Sequence, residues 1–182
     1  MRLESENCVL VVVDMQPTFL AGIFDAEKVL ARTKFIVESA NLLDVPVLAT
    51  VQYPERMGGT EESLDAMIAG PTLGKMAFSC CGCEDFSHEF KQLDRGQVLL
   101  VGIETHICIT QTALDLLDQG FEVFVAADAV SSRTLEANKI GFKRLRDFGC
   151  WLVHSESAVY EWMQGADHEK FRDVLGIVKK YA

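Results

Sequence analysis

Continuous apolar runs alternate along this chain with stretches whose apolar positions recur every three to four residues. The first run, Cys8-Val9-Leu10-Val11-Val12-Val13, is apolar throughout and rich in β-branched residues, which predicts a strand buried on both faces, as in a parallel sheet. It ends at Asp14. Over 27–43 the residues Val29, Leu30, Phe35, Ile36, Val37, Ala40, Leu42 and Leu43 fall at helical spacing, and Pro46 then opens a second strand over 47–51. Strand, helix and strand make one β-α-β unit. Residues 54–59 read as a Pro/Gly loop, and Thr60 followed by Glu61 and Glu62 reads as the N-cap and acidic first turn of a short helix through Ile68. Gly70-Pro71 breaks that helix, a short third strand is expected over 75–78, and a helix over 85–93. Beyond it the pattern predicts a strand at 97–101, a helix at 107–117 stopped by Gly120, and a strand at 122–126. A helix at 134–148 stopped by Gly149, a strand at 150–153, a helix from Ser155 and another over 167–180 complete the chain.

About six strands with helical crossovers predict a three-layer, doubly wound, Rossmann-like α/β sheet in a single domain over residues 1–182. No repeat, charge block or linker divides the chain. A chain of this length buries roughly 70% of its extended surface, so its core suffices without disulfides or a structural metal. With 17 Lys+Arg against 27 Asp+Glu, the net charge of -10 has the wrong sign for neutralising phosphates, which argues against nucleic acid and anionic membranes as partners. No apolar run near the amino terminus is long enough to span a bilayer or patterned as a secretory signal. The expected location is cytoplasmic, and the six cysteines are expected as reduced thiols. Cys80-Cys81-Gly82-Cys83 with His88 offers part of a zinc spacing, but no second ligand pair follows, so surface or core thiols are the better reading.

The first strand leads into Asp14-Met15-Gln16-Pro17, not a glycine-rich phosphate loop, so neither a dinucleotide nor ATP is expected as cofactor. Ligands of open α/β sheets bind beyond the carboxyl ends of the strands. Three reactive residues fall there: Asp14 closes the first strand, Lys75 lies at the third, and Cys108 opens the helix after the fourth. A carboxylate, an ammonium and a thiol in one pocket would make an activated nucleophile, the thiolate favoured by the lysine and the helix amino terminus. Each also has an ordinary reading, as a turn former, a solvated charge and a small core residue.

The segments Val9-Leu10-Val11-Val12-Val13-Asp14-Met15-Gln16, Lys75-Met76-Ala77-Phe78-Ser79 and Val101-Gly102-Ile103-Glu104-Thr105-His106-Ile107-Cys108-Ile109, with Ala127-Asp128-Ala129-Val130-Ser131-Ser132-Arg133, resemble the isochorismatase-like cysteine hydrolase superfamily over nearly the whole chain. The resemblance implies a six-stranded parallel sheet of order 3-2-1-4-5-6, with Cys108 as nucleophile, Asp14 as general base and Lys75 as the cation beside both. It also implies a cis peptide at Ile103-Glu104 that aims the backbone N–H groups of Glu104 and Cys108 at an oxyanion. The implied reaction is thiol attack on the carbonyl of a small amide, ureido or carbamoyl compound, followed by hydrolysis of a thioester. Relatives that act on nicotinamide carry Asp-x-His metal ligands after the second strand; here Gln52-Tyr53-Pro54 stands instead, so no metal and no cofactor is expected. Thr50-Val51-Gln52-Tyr53-Pro54 with Gly58-Gly59-Thr60 resembles a metal-site-lacking branch of isochorismatase domain-containing proteins. Phe19, Tyr53 and Phe78 are candidate pocket walls. His106, two residues before Cys108, is a poor catalytic partner because side chains two apart on a helix do not face each other. Asp128 reads as structural or supporting, and Arg56 and Arg133 as solvated charges that could receive a substrate carboxylate. The resemblance suggests a homo-oligomer, dimer or tetramer. The alternatives are a catalytically silent binding or scaffold member of the fold, and a redox-sensing thiol with Cys80, Cys81 or Cys83 as partner.

Overall fold

The computed structural model describes all residues from Met1 to Ala182. Strand β1 (Cys8–Val13) is buried at every position because successive side chains enter opposite cores. Cys8, Leu10 and Val12 join the larger core, and Val9, Val11 and Val13 the smaller one on the other face. That two-sided burial explains the unbroken apolar run. The chain continues through α1 (Pro17–Leu20), α2 (Ala26–Leu42), β2 (Val47–Gln52), α3 (Pro54–Met57), α4 (Glu62–Asp65), β3 (Thr72–Lys75) and α5 (Glu84–Gln92). It ends with β4 (Gln97–Ile103), α6 (Thr110–Asp118), β5 (Glu122–Ser131), α7 (Leu135–Asp147), β6 (Trp151–Val153), α8 (Ser155–Met163) and α9 (Phe171–Lys180).

All six strands are parallel, in the order β3-β2-β1-β4-β5-β6. Residues of α2, α4, α8 and α9 fill the larger core, and residues of α5, α6 and α7 the smaller, so the domain has the expected three layers. The order reverses between β1 and β4, where the two crossovers leave in opposite directions and open a crevice at the strands' carboxyl ends. Gly102, paired with Val13 across that junction, has φ +110°, and a Cβ there would lie 2.1 Å from the Val13 carbonyl oxygen. Only glycine allows β4 to pass this close to the end of β1.

Several boundaries differ from the sequence pattern. The third strand is Thr72–Lys75 and not 75–78, so Lys75 is its last residue and lies beside Gln52 in register. This edge strand is exposed over most of its length and carries no apolar run. The N-cap before α4 is Glu61, whose carboxylate accepts from the Leu64 N–H, in place of Thr60. Strand β5 runs to Ser131 past a register shift between Leu100 and Gly102, which puts Asp128 inside the strand and not after it. Residues Thr105–Ile109 form a π-helical turn that leads into α6. No helix is long and apolar enough to cross a membrane.

Candidate active site

Asp14, Lys75 and Cys108 come from three different strand ends and meet at the floor of one cleft. Asp14 leaves β1 with φ 53°, a left-handed conformation that stops the strand and turns its carboxylate out of the sheet plane. Its Oδ2 accepts from Lys75 Nζ at 2.7 Å and its Oδ1 from Thr50 Oγ1 at 3.0 Å. Lys75 Nζ also donates to Gln52 Oε1 at 2.6 Å and to the Phe78 carbonyl at 3.1 Å, and lies 3.7 Å from Cys108 Sγ. The lysine side chain is fully buried and the Asp14 side chain is 3% exposed. An ammonium so deep is tolerated only because oxygen acceptors surround it.

The cation does not leave Cys108 ionised. Burial first, and the negative charge of Asp14 second, push the thiol up to about 12, outweighing the opposing pull of Lys75. Lys75 favours the thiolate, as expected from the sequence, but burial and Asp14 together outweigh it. What the geometry supplies is a neutral thiol beside an ion pair whose carboxylate is a ready proton acceptor.

The cleft above has a volume of about 80 Å³ and is lined by Phe19, Phe78, Ile103 and Ile107 together with Asp14, Gln52, Glu104 and Cys108. Phe19 and Phe78 thus stand where the sequence places them. Tyr53 does not: it caps α3 with φ 46°, donates its backbone N–H to the Lys75 carbonyl at 2.9 Å, and leaves the wall to its neighbour Gln52. The Ile103–Glu104 peptide is cis. The Glu104 N–H donates to no protein group, while its carbonyl accepts from Ile107 and Ile109, the residues on either side of Cys108.

A clamp behind the cleft goes unread in the sequence. Gln16 is completely buried; its Oε1 accepts from the Gln52 N–H at 2.7 Å, and its Nε2 donates to the carbonyls of Gln52 at 3.0 Å and Gly58 at 2.8 Å. The amide fixes the end of β2, and through Gln52 the acceptor that meets Lys75. The available signal was polar residues inside an apolar strand, Thr50 and Gln52, and both prove to hold the Asp14–Lys75 pair.

The remaining candidates lie outside this cluster. His106 shares a hydrogen bond with Ser132 Oγ at 2.9 Å and does not line the cleft. Arg133 donates to Glu104 Oε2 at 3.1 Å, and Arg56 is exposed on α3. Asp128 is held by Arg32 and Ser155, away from the thiol. Cys80 and Cys83 are buried and Cys81 half-buried; Cys83 donates to the Gly74 carbonyl, and Cys80 sits 3.6 Å from Thr50 Oγ1. No group of three or more His, Cys, Asp or Glu side chains is placed to hold a metal ion, and all six cysteines are free thiols.

The isochorismatase domain model matches residues 8–157. Isochorismatase domain-containing protein 2A of Mus musculus is 37% identical over 98% of this chain and 86% of its own length. A secreted isochorismatase effector of Phytophthora sojae is 35% identical over 99% of this chain and 88% of its own. Among solved structures, that of the MAR1 ribonuclease from Caenorhabditis elegans superposes with a TM-score of 0.92, at 32% identity, over 98% of this chain and 93% of that one. The fold, the strand order and these relatives agree: the chain belongs to the isochorismatase family of hydrolase-fold proteins.

Proposed function

We propose that the protein is a metal-independent cysteine hydrolase that cleaves the C–N bond of a small amide, ureido or carbamoyl compound. The observation that carries this reading is the Cys108 thiol, its sulfur 3.7 Å from the ammonium of Lys75, which is itself 2.7 Å from the Asp14 carboxylate, at the floor of a largely apolar cleft. As the thiol sulfur attacks the carbonyl carbon, its proton passes to Asp14. The tetrahedral oxyanion is received by the backbone N–H groups of Glu104 and Cys108, the kind of donor whose removal costs about 10²- to 10³-fold. Asp14 returns the proton to the nitrogen, the C–N bond breaks, and an acyl thioester remains on Cys108. Water then attacks with Asp14 as base, the C–S bond breaks, and the thiol regains its proton. Lys75, hydrogen-bonded to Asp14, holds the carboxylate in place beside the thiol while it takes and returns the proton.

A nucleolytic reading draws on the name of the Caenorhabditis elegans relative. A polyanion, however, would meet Asp14 and Glu104 in the cleft, a cation with no exposed surface, and a chain of net charge -10. The amide reading fits better. Six unpaired thiols suit a reducing, cytoplasmic compartment. The exposed apolar residues Leu135, Ile140 and Phe148, with Trp151 on the edge strand β6, suit a homo-oligomer. The test of the reaction is ammonia release from a panel of small primary amides, with capture of the acylated Cys108 peptide by mass spectrometry. Cys108→Ala should abolish both while retaining the wild-type circular dichroism; undiminished turnover in that variant would sink the mechanism.

A further inference from the structure

The cleft has a specificity element that the attack on the carbonyl leaves unused. At about 80 Å³ it is well below the roughly 300 Å³ at which pockets begin to enclose a whole small ligand. A cleft of that size takes the scissile group and leaves the rest of the substrate at the mouth. There Phe78 is 55% exposed, and Phe19 and Ile107 are half-buried.

The one acidic side chain of the lining outside the Asp14–Lys75–Cys108 cluster is Glu104. The Gln52 amide is engaged through both its atoms, Oε1 accepting from Lys75 Nζ and Nε2 donating to the Met76 carbonyl at 2.8 Å. Glu104 Oε2 accepts from the Arg133 N–H at 3.2 Å and from Arg133 Nε at 3.1 Å, with His106 Nδ1 at 4.0 Å; Glu104 Oε1 accepts from no protein group. Arg133 cannot neutralise the cleft in exchange, because its side chain is 63% exposed and screened by water. No arginine or lysine other than the buried Lys75 faces the reacting centre, and Lys75 does not line the cleft surface.

We infer that Glu104 is the residue that selects the substrate class: small carboxamides that carry a hydrogen-bond donor or a positive charge next to an apolar body, and no carboxylate. The inference rests on the cysteine-hydrolase reading above and adds to it the chemistry of the group beyond the scissile bond. A substrate amino, ammonium or ureido N–H would donate to Glu104 Oε1, whereas a substrate carboxylate would be set against Glu104 in a site of reduced dielectric. Like charges brought together in this way cost enough to reject a ligand. The net charge of -10 acts in the same direction at long range.

The test compares three thiol reagents of different charge on the full chain: neutral iodoacetamide, anionic iodoacetate and cationic 2-bromoethylammonium. Their rates at Cys108 are read at pH 9 by peptide mass spectrometry, each divided by its rate with 2-mercaptoethanol. The expected order is cation at or above amide, and amide above acetate by roughly tenfold, the scale of one clear like-charge contact. Glu104→Gln should collapse that ratio toward one, and Arg133→Ala should leave iodoacetate disfavoured. Iodoacetate as fast as iodoacetamide in the wild-type protein would overturn the inference. So would a ratio unmoved in a folded Glu104→Gln variant, or a slowing of iodoacetate in Arg133→Ala, which would make Arg133 an anion receiver. Those outcomes leave the cysteine-hydrolase reading standing. A Cys108 inert toward all three reagents in the folded protein, yet alkylated after denaturation, would remove that reading and this inference with it.

Discussion

One buried and one half-buried carboxylate sit at the carboxyl side of this sheet, each joined to a cation, and only the buried one is placed for chemistry. Asp128 in β5 accepts from the Ser155 N–H at 2.7 Å, Ser155 Oγ at 2.6 Å and Arg32 Nε at 2.9 Å, with His154 Nε2 3.2 Å away. Burial opposes its charge, but the hydrogen bonds from Ser155 and the nearby His154 prevail and hold its carboxyl below the usual carboxylate range. Three hydrogen bonds hold it, no thiol and no cleft residue adjoins it, and it ties α2, β5 and α8 together. Asp14 accepts from only Lys75 and Thr50, its partner cation leans toward a thiol, and a cleft opens above. A carboxylate–cation pair is structural where its partners all belong to packed elements, and reactive where a thiol and an open cleft are left beside it.

The largest effect that would break this comparison is on turnover. Asp14→Asn removes the proton acceptor and is expected to lower ammonia release by about 10⁴-fold or more, the scale seen when a member of a catalytic unit is lost. Asp128→Asn should leave kcat/KM within about twofold. Its cost is in stability: Asp128→Ala strands the Arg32 guanidinium and is expected to lose about 3 kcal/mol in urea denaturation, toward the lower end for a broken buried pair because both side chains keep some exposure. An Asp128 variant that loses turnover without losing stability would reverse the assignment of the two sites.

A smaller effect sharpens the contrast and has the opposite sign from the loss of activity. Because Cys108 is pushed up to about 12 by burial and by Asp14's charge, its iodoacetamide rate in the wild-type protein should keep rising between pH 9 and 11, where a free thiol with a pKa of about 8.5 has levelled off. Below pH 9 the thiol is protonated and slow. Asp14→Asn removes a charge that opposes ionisation and releases Lys75 to the sulfur. Alkylation at pH 8 should therefore accelerate by roughly tenfold, one pKa unit, in the same variant that has lost hydrolysis. Slower alkylation would mean that Asp14 supports a standing thiolate and is not a base awaiting a proton.

What could be read in advance follows from how each residue advertises itself. β1 and Asp14 are legible because a run of six apolar residues that stops at an acid fits a buried strand ending at the sheet's edge and little else, and the order of the sheet follows once the family resemblance is drawn. Lys75 is visible as a residue but misplaced by the pattern, since β3 is a short exposed edge strand whose Gly74 and Thr72 carry no hydrophobic signal. The state of Cys108 is invisible in one dimension, because it depends on how much solvent three distant segments exclude. Tyr53 was drawn to the wall by its aromatic ring. The backbone turns it into a cap, and the less conspicuous Gln52 takes its place. Gln16 looks like any polar residue in a turn until its three partners, two of them on Gln52, are in place.

That glutamine gives the smallest and most discriminating contrast. Gln16→Ala would strand the Gln52 N–H and two carbonyls, costing about 1–3 kcal/mol as buried groups lose their partner, and the side chain removed bonds neither the Asp14 carboxylate nor the thiol. If the end of β2 is rigid without the clamp, only stability falls, as at Asp128. If the clamp sets where Gln52 meets Lys75, kcat should drop by roughly tenfold, since small misplacements near reacting groups are costly, and the pH profile of Cys108 alkylation should shift with it. The expected result is the second, because Lys75 Nζ is only 2.6 Å from the Gln52 oxygen that Gln16 positions. A stable variant with unchanged kcat and an unchanged alkylation profile would place Gln16 with the structural carboxylate and not with the catalytic one.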